Sequence, residues 1–339
     1  MNSLINYKHF SIRWGCCCLA TRTNLTEELK MKQTILATAM LSSLTTTSVM
    51  AATMVDQDGF KYQLNGDIQI QLQKDNGANK NLYVNFDSLK FDNKVSYQLS
   101  KDLSAFGRIK FDFDDAANDD EDQNSAALKD AYVGFAYRDT ALSVGKQDYA
   151  TDEFGVAEDY EMDSDDVAFD ETDGDDVILV NFDLDKVNLM LSTELRAEGE
   201  DSEDEQSFDA FASFNVSDLE FAVAYQNREV AIHGEKMDSY GVSAKYDAGF
   251  ATFAADYSEA EDTLKVYNLV TMFDVTDSTT MVLGYVNNKP ESDEEVHEWY
   301  TNVTYAFPEF KDVKVFAELS NTNKEGAEMA YVAGTEIEF

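Results

Sequence analysis

Apolar and polar residues alternate in short runs along most of this chain. In residues 60–73, Tyr62, Leu64, Ile68, Ile70 and Leu72 share one parity. Gln63, Asn65, Asp67, Gln69, Gln71 and Gln73 share the other. A period of two sets the two groups on opposite faces of a strand. The pattern recurs at residues 95–99, 104–113, 131–137, 142–144, 177–184, 187–195, 208–216, 219–225 and 240–246. It continues at 251–257, 266–275, 280–286, 299–307 and 313–319, and closes on 329–339. About sixteen strands are predicted, an even number within the range of closed bacterial barrels.

The last run puts Met329, Tyr331, Ala333, Thr335, Ile337 and Phe339 on one face and Glu336 and Glu338 on the other. A bare apolar terminal strand suits a sheet that must pair its last strand with its first, because lipid tolerates no open edge. The connections alternate as well. Residues 100–103, 138–140, 184–186, 217–218, 247–249, 276–278 and 308–312 are tight turns, whereas 114–125, 150–176, 197–206 and 288–298 are long and acidic. Short turns at one end and long loops at the other is the layout of a transmembrane barrel. A soluble barrel of this many strands would leave a lumen too wide for side chains to fill. The predicted fold is therefore an all-β transmembrane antiparallel barrel with lipid outside and a polar, wet interior. Aromatic residues near strand ends (Tyr62, Tyr137, Tyr225, Tyr246, Tyr257, Trp299, Phe307) fit interfacial girdles.

The front of the chain has a different character. Residues 31–51 read as a secretory signal, with Lys32, an apolar stretch at 35–44 and small residues before a cut after Ala51. Residues 1–30 then read as an upstream extension outside the working protein, and 52–339 as the barrel. All three cysteines, Cys16, Cys17 and Cys18, fall in that extension. Composition narrows the partners. The whole chain holds 66 acidic against 26 basic residues. Removing residues 1–51 takes five basic and two acidic residues, leaving 64 against 21, a net charge of −43. No basic surface exists to neutralise phosphates, so nucleic acid is excluded as a partner. His233 and His297 are the histidines of the mature chain, and neither lies in a metal or nucleophile motif. No cofactor, metal site or enzymatic chemistry is expected.

Several stretches, in order, resemble the trimeric general porins of Gram-negative bacteria. They are Asp56-Gln-Asp-Gly59, Ser100-Lys-Asp-Leu-Ser-Ala-Phe-Gly107, Leu128-Lys-Asp-Ala-Tyr-Val-Gly-Phe135, Val144-Gly-Lys-Gln147 and the terminal Phe339. The resemblance implies an outer-membrane homotrimer in contact with lipid and lipopolysaccharide, exported through the periplasm. It implies that the barrel-assembly machinery reads a terminal signal, here Tyr331, Ile337 and Phe339. It also implies a long third loop, residues 147–176, folded into the lumen. Acids on that loop would face bases on the barrel wall across a constriction. By position the loop acids are Asp148, Asp152, Glu153, Glu158 and Asp159, and the wall bases are Lys90, Arg108, Lys110 and Lys129. Glu153-Phe154-Gly155 is similar to the family's loop element, while lysines stand at 129 and 146 where the family commonly has arginine. Lysine is a flexible point charge, so a rigid stacked wall is not expected.

The function expected is passive diffusion of small hydrophilic solutes and ions, with cations preferred because of the acidity. A substrate-specific channel, for instance for oligosaccharides, is the alternative. It would need inward aromatic residues, and the alternation shows no run of them; Trp299 points outward. An acidic, calcium-binding or adhesive surface protein is a third reading. The run 170–176 lacks the order of ligands that a calcium loop requires.

Overall fold

The computed structural model describes residues 52–118, 126–161, 164–169, 171–195, 206–229 and 236–339. The expected signal sequence, the cysteines, most of the acidic run 197–206 and His233 lie outside them. The elements are β1 (Ala52–Gln57), β2 (Phe60–Lys74), β3 (Tyr83–Gln98), β4 (Leu103–Asp112), α1 (Asp114–Asn118), β5 (Ala127–Tyr137) and β6 (Thr140–Asp148). A single 3-10 turn at Ala150–Glu153 precedes β7 (Asp173–Asp183), β8 (Val187–Glu194), β9 (Ser207–Val216), β10 (Leu219–Glu229) and β11 (Lys236–Asp247). Then follow β12 (Thr252–Ala260), β13 (Leu264–Thr276), β14 (Thr279–Pro290), β15 (Val296–Phe307), β16 (Phe310–Thr322) and β17 (Ala330–Glu338).

From β2 to β17 each strand pairs antiparallel with the next, and β17 returns to β2 with Ile337 opposite Ile68. Sixteen strands thus close into a cylinder. β1 is an addition that the alternation does not predict, because its six residues carry no clear two-residue period. It pairs with Phe60–Leu64 of β2, whose other edge is occupied by β3 over the same residues. β1 therefore lies end to end with β17, and the two together cover one edge of β2.

The tight turns show why the strands reverse where they do. Asp58, Arg138, Asp185 and Ser217 take positive φ, 53° to 63°, in the short connections of β1–β2, β5–β6, β7–β8 and β9–β10. Such turns match the natural twist of the paired strands. Several strands extend beyond the alternating runs. β3 begins at Tyr83 rather than near residue 95, because a bulge opposite Gln69 and Ile70 breaks its parity at Asp87. Val84 and Phe86 share a face before the bulge, and Leu89 and Phe91 after it.

The outward set is apolar and uncovered: Val133 is 68% exposed, Leu269 58% and Phe135 56%. A continuous apolar band of this kind in water would be an aggregation surface, whereas in lipid it is the solvated face. Among the described residues no helix is long and apolar enough to cross a membrane; the crossing is made by strands. The inward set departs from the expectation of a wholly polar lumen. Gln69, Gln71 and Gln73 form a bonded ladder inside β2. On β8–β15, however, Met190, Phe211, Val266, Val270, Val282, Val286 and Tyr300 also point inward and are buried. They are covered by the segment between β6 and β7, which supplies Ala150, Phe154, Ala168 and Phe169 to the same clusters.

The closing strand is seated by a glycine. Gly66 and Phe339 exchange backbone hydrogen bonds of 2.8 and 3.0 Å. The Phe339 ring lies over Gly66 so closely that a Cβ there would be 2.1 Å from its Cζ. Replacing Gly66 by leucine would unseat the terminal ring. Overpacking of this sort costs about 1–3 kcal/mol. Gly66→Leu should therefore lower the yield of folded barrel, read as the heat-modifiable band on electrophoresis. An unchanged yield would mean the ring does not need that seat.

Candidate functional site

The residues of the site come from two places: the inner face of β3–β6 and the segment between β6 and β7. On β3 and β4 the alternation holds as expected. Phe91, Val95, Ile109 and Phe111 are exposed outward, so Lys90, Lys94, Arg108 and Lys110 share the inner face. They are not a bare ladder of positive charge. The Arg108 guanidinium grips the Asp92 carboxylate with two bonds, Nε at 2.8 Å and Nη2 at 3.0 Å, and its Nη1 lies 3.5 Å from Asp130. Lys94 is 3.0 Å from Asp92, Lys110 3.9 Å from Asp130, and Lys90 3.9 Å from Asp112. Each base of the wall thus has a wall acid beside it. The bidentate Arg108–Asp92 pair also fixes the side chain in place.

Lys129 does not join this group. Lys110 pairs with Asp130 and Phe111 with Leu128, so Lys129 is the extra residue of a bulge, and it is exposed. An unbroken two-residue period could not have shown this, because a bulge shifts the parity within the strand.

The segment 149–172 is held by side chains of the inner set. Ala150 N–H donates to Ser192 Oγ (2.8 Å), and the Thr151 hydroxyl to Asp209 (2.7 Å). Val156 N–H donates to Asp256 (2.9 Å), and Glu158 N–H to the Tyr300 hydroxyl (2.9 Å). The Tyr160 and Glu161 N–H groups both donate to Glu318, at 2.8 and 2.9 Å, and Gln73 donates to the Glu161 carboxylate (2.7 Å). On the return, Ala168 N–H donates to Ser258 (2.8 Å) and Gln226 donates to the Glu171 carbonyl (2.8 Å). These bonds fall on β2, β8, β9, β10, β12, β15 and β16. None of them goes to β3, β4 or β5, where Lys90, Arg108 and Lys110 lie.

Aromatic rings lock the segment further. Phe154, centre of the Glu153-Phe154-Gly155 element, meets Phe169 edge-on at 5.4 Å and lies over Gly241, where a Cβ would be 2.5 Å from its ring. Gly155 follows at φ +142°, a conformation that a side chain would strain. Tyr160 stacks on Phe316 at 3.7 Å, and its hydroxyl meets Thr304 at 2.6 Å.

The expected loop acids divide into two groups. Asp148 and Glu153 line one cavity with Arg108 and Asp130. Asp152 is nearby: it accepts a 2.8 Å bond from Thr172, and burial raises its carboxyl pKa, opposed by the Lys110 charge. Glu158 and Asp159 lie farther along, beside Tyr300, Asn302 and Glu318, not opposite the bases. Burial raises Glu158 too, against the pull of Lys245. Asp159 is pushed up to about 7, first by burial and then by the Glu318 carboxylate. The wall acids Asp92, Asp130, Asp209, Asp256 and Glu318 were not singled out from sequence. Their parity within each strand marks them as inward, but nothing local shows which would meet the loop.

Inward aromatics exist as well, though not as a run. Phe106 and Tyr132 lie on adjacent strands, on the same inner parity as Arg108 and Asp130, with rings 6.4 Å apart and edge to face. Tyr300 and Phe316 point inward on the far wall. They are scattered across strands, so no run along the chain betrays them.

Three comparisons place the chain among known proteins. The family model described as Gram-negative porin matches residues 37–327. Porin-like protein H of Photobacterium profundum is 24% identical, over 91% of this chain and 100% of that protein. A protein named monosaccharide porin, from a Halomonas species, is 25% identical over 69% of this chain and 72% of its own length. Among solved structures, the in-vitro folded trimer form of OmpT from Vibrio cholerae superposes with a TM-score of 0.67. The match covers 83% of this chain and 100% of that one, at 16% identity.

The acid at 159 gives this site a pH dependence. An aspartate ionises near 3.9 when exposed. Held near 7 in the folded protein, Asp159 stays protonated while the unfolded or released segment loses its proton. Its unfavourable contribution is absent below about pH 4, grows as pH rises toward 7, and is constant above that. The Tyr160 and Glu161 amides should therefore exchange hydrogen more readily at pH 8 than at pH 5, after correction for intrinsic rate. Asp159→Asn should flatten that difference. Exchange that slows with rising pH would contradict the assignment.

Proposed function

Because the chain belongs to the Gram-negative porin family, whose members here are outer-membrane channels and not enzymes, we propose that it is a passive diffusion channel for small hydrophilic solutes that prefers cations. The observation that supports this reading most is the asymmetry of the interior. The segment 149–172 is bonded around the wall from β8 through β16 to β2 and leaves the inner face of β3–β5 free of those bonds. The passage then runs between that segment and the wall bearing Lys90, Arg108 and Lys110.

Wall acids already offset the bases on that side, and Asp148, Asp152 and Glu153 add further negative charge at its edge. Fixed charge of one sign in a narrow aqueous path raises the local concentration of counter-ions. Exported through the periplasm, the chain would assemble as a homotrimer, as one solved relative does. The outer apolar band would meet lipid and lipopolysaccharide, and the barrel-assembly machinery would read Tyr331, Ile337 and Phe339. Residues 31–51 would be removed as the export signal.

A specific channel is the second reading. It is supported by the inward pair Phe106 and Tyr132 beside polar groups of the same cavity, and by the relative that bears the name monosaccharide porin.

Reversal potentials in a potassium chloride gradient across a planar bilayer test the cation preference. The potential should have the sign set by potassium, and the double change Asp152→Asn with Glu153→Gln should move the permeability ratio toward unity. A potential of the chloride sign would sink the proposal.

A further inference from the structure

Three inward residues on neighbouring strands stand at one level of the lumen wall: Ser192 on β8, Asp209 on β9 and Gln226 on β10. The register sets Asp209 directly opposite both of the others. All three are buried, with Asp209 and Gln226 at 0% exposure. Each holds one group of the segment between β6 and β7. Ser192 Oγ accepts from the Ala150 N–H at 2.8 Å, and Asp209 Oδ1 from the Thr151 hydroxyl at 2.7 Å. Gln226 Nε2 donates to the Glu171 carbonyl at 2.8 Å. The outgoing and returning arms of the segment are thus tied to one row, and Asp209 is its centre. Its Oδ1 also accepts from Gln226 Nε2 at 2.8 Å, and its Oδ2 from the Ser207 hydroxyl. A buried carboxylate that receives several donors is a charge-assisted node, and it fixes the groups around it.

The row lies beneath the segment, yet it governs groups on the other side. Thr151 is followed by Asp152 and Glu153, and Glu171 by Thr172. The residues next to the tie points then meet each other. The Thr172 hydroxyl donates to Asp152 at 2.8 Å, and the Tyr149 N–H to the Thr172 carbonyl at 2.6 Å. Arg228, two residues beyond Gln226 on β10, holds the Glu171 carboxylate at 2.9 Å. Glu153 lines the same cavity as Arg108. Both acids therefore stand where the row places their backbone. The work of Asp209 is done by an oxygen, not by its charge. An asparagine there keeps an oxygen toward Thr151 and Gln226, and its amide nitrogen meets the Ser207 hydroxyl, which can accept as well as donate. An alanine there removes the node.

We infer that Asp209 is a positioning residue for ion selection, acting through Asp152 and Glu153. The inference rests on the cation-preferring channel reading. The test is the reversal potential of the folded full-length mature protein in a potassium chloride gradient across a planar bilayer. Asp209→Ala and Gln226→Met cut the row at different residues. Each should lower the potassium-to-chloride permeability ratio about twofold, the scale for fixed charges displaced by a few ångströms in a screened path. Asp209→Asn should keep the wild-type ratio. With Asp152→Asn and Glu153→Gln already in place, neither cut should move the ratio further, because the displaced groups carry no charge. A wild-type ratio in both cut variants would overturn the assignment and leave the cation reading intact. Equal shifts from Asp209→Ala and Asp209→Asn would overturn it too, since the buried charge itself would then be the cause. Shifts that persist in the neutralised background would do the same. Should Asp209→Ala give no folded barrel, Gln226→Met, which alters no charge, decides alone. A potential of the chloride sign in the wild-type protein would overturn the cation reading, and the assignment with it.

Discussion

A sheet in lipid can have no free edge, because no water is present to satisfy an unpaired N–H or C=O. The other features of the molecule follow from that requirement. Sixteen strands must close, so β17 returns to β2 and ends with Phe339 bonded to Gly66. Closure leaves part of β2 uncovered beyond Phe339, and β1 fills it. A cylinder of this size cannot pack its own interior. Its inner face must then be satisfied by water, by its own polar ladders or by another segment of the chain.

The segment 149–172 meets that need on one side only. Its backbone N–H groups are received by carboxylates of the wall, Asp256 and Glu318; its Phe154 and Phe169 rings pack with inward alanines and Phe211, and its Val156 and Ala168 with the inward valines. The result is a lumen with two unlike walls: one roofed by loop and partly apolar, the other open and charged. The price of that arrangement is crowding of acids, as at Asp159 beside Glu318. Carboxylates that accept backbone bonds hold the loop, and the same carboxylates repel the loop's own acids.

Much of the barrel was legible in the residues themselves. Alternation placed Ile70, Leu72, Ile109 and Phe111 outward and Gln71, Arg108 and Lys110 inward, as the structure has them. What failed did so for identifiable reasons. The bulges at Asp87 and Lys129 reset the parity, shortening the visible part of β3 and misplacing one wall base. The inward Phe106 and Tyr132 belong to different strands, so their meeting depends on register, which a two-residue period does not encode. Glu158 and Asp159 sit in the loop, where no period applies. Their distance from the bases follows from how far the segment reaches before Tyr300 and Glu318 catch it. Resemblance supplied the loop's existence; only side-chain bonds supply its path.

Under the proposed function, the segment between β6 and β7 narrows a water-filled passage on one side of the lumen. Single-channel conductance of a variant in which residues 156–168 are replaced by a short glycine–serine bridge tests it most directly, because the barrel strands and closing contacts are untouched. A larger conductance step than in the intact protein, with closures still in discrete levels, is the predicted result. A step of the same size would mean that the segment does not limit the passage, and would contradict the account.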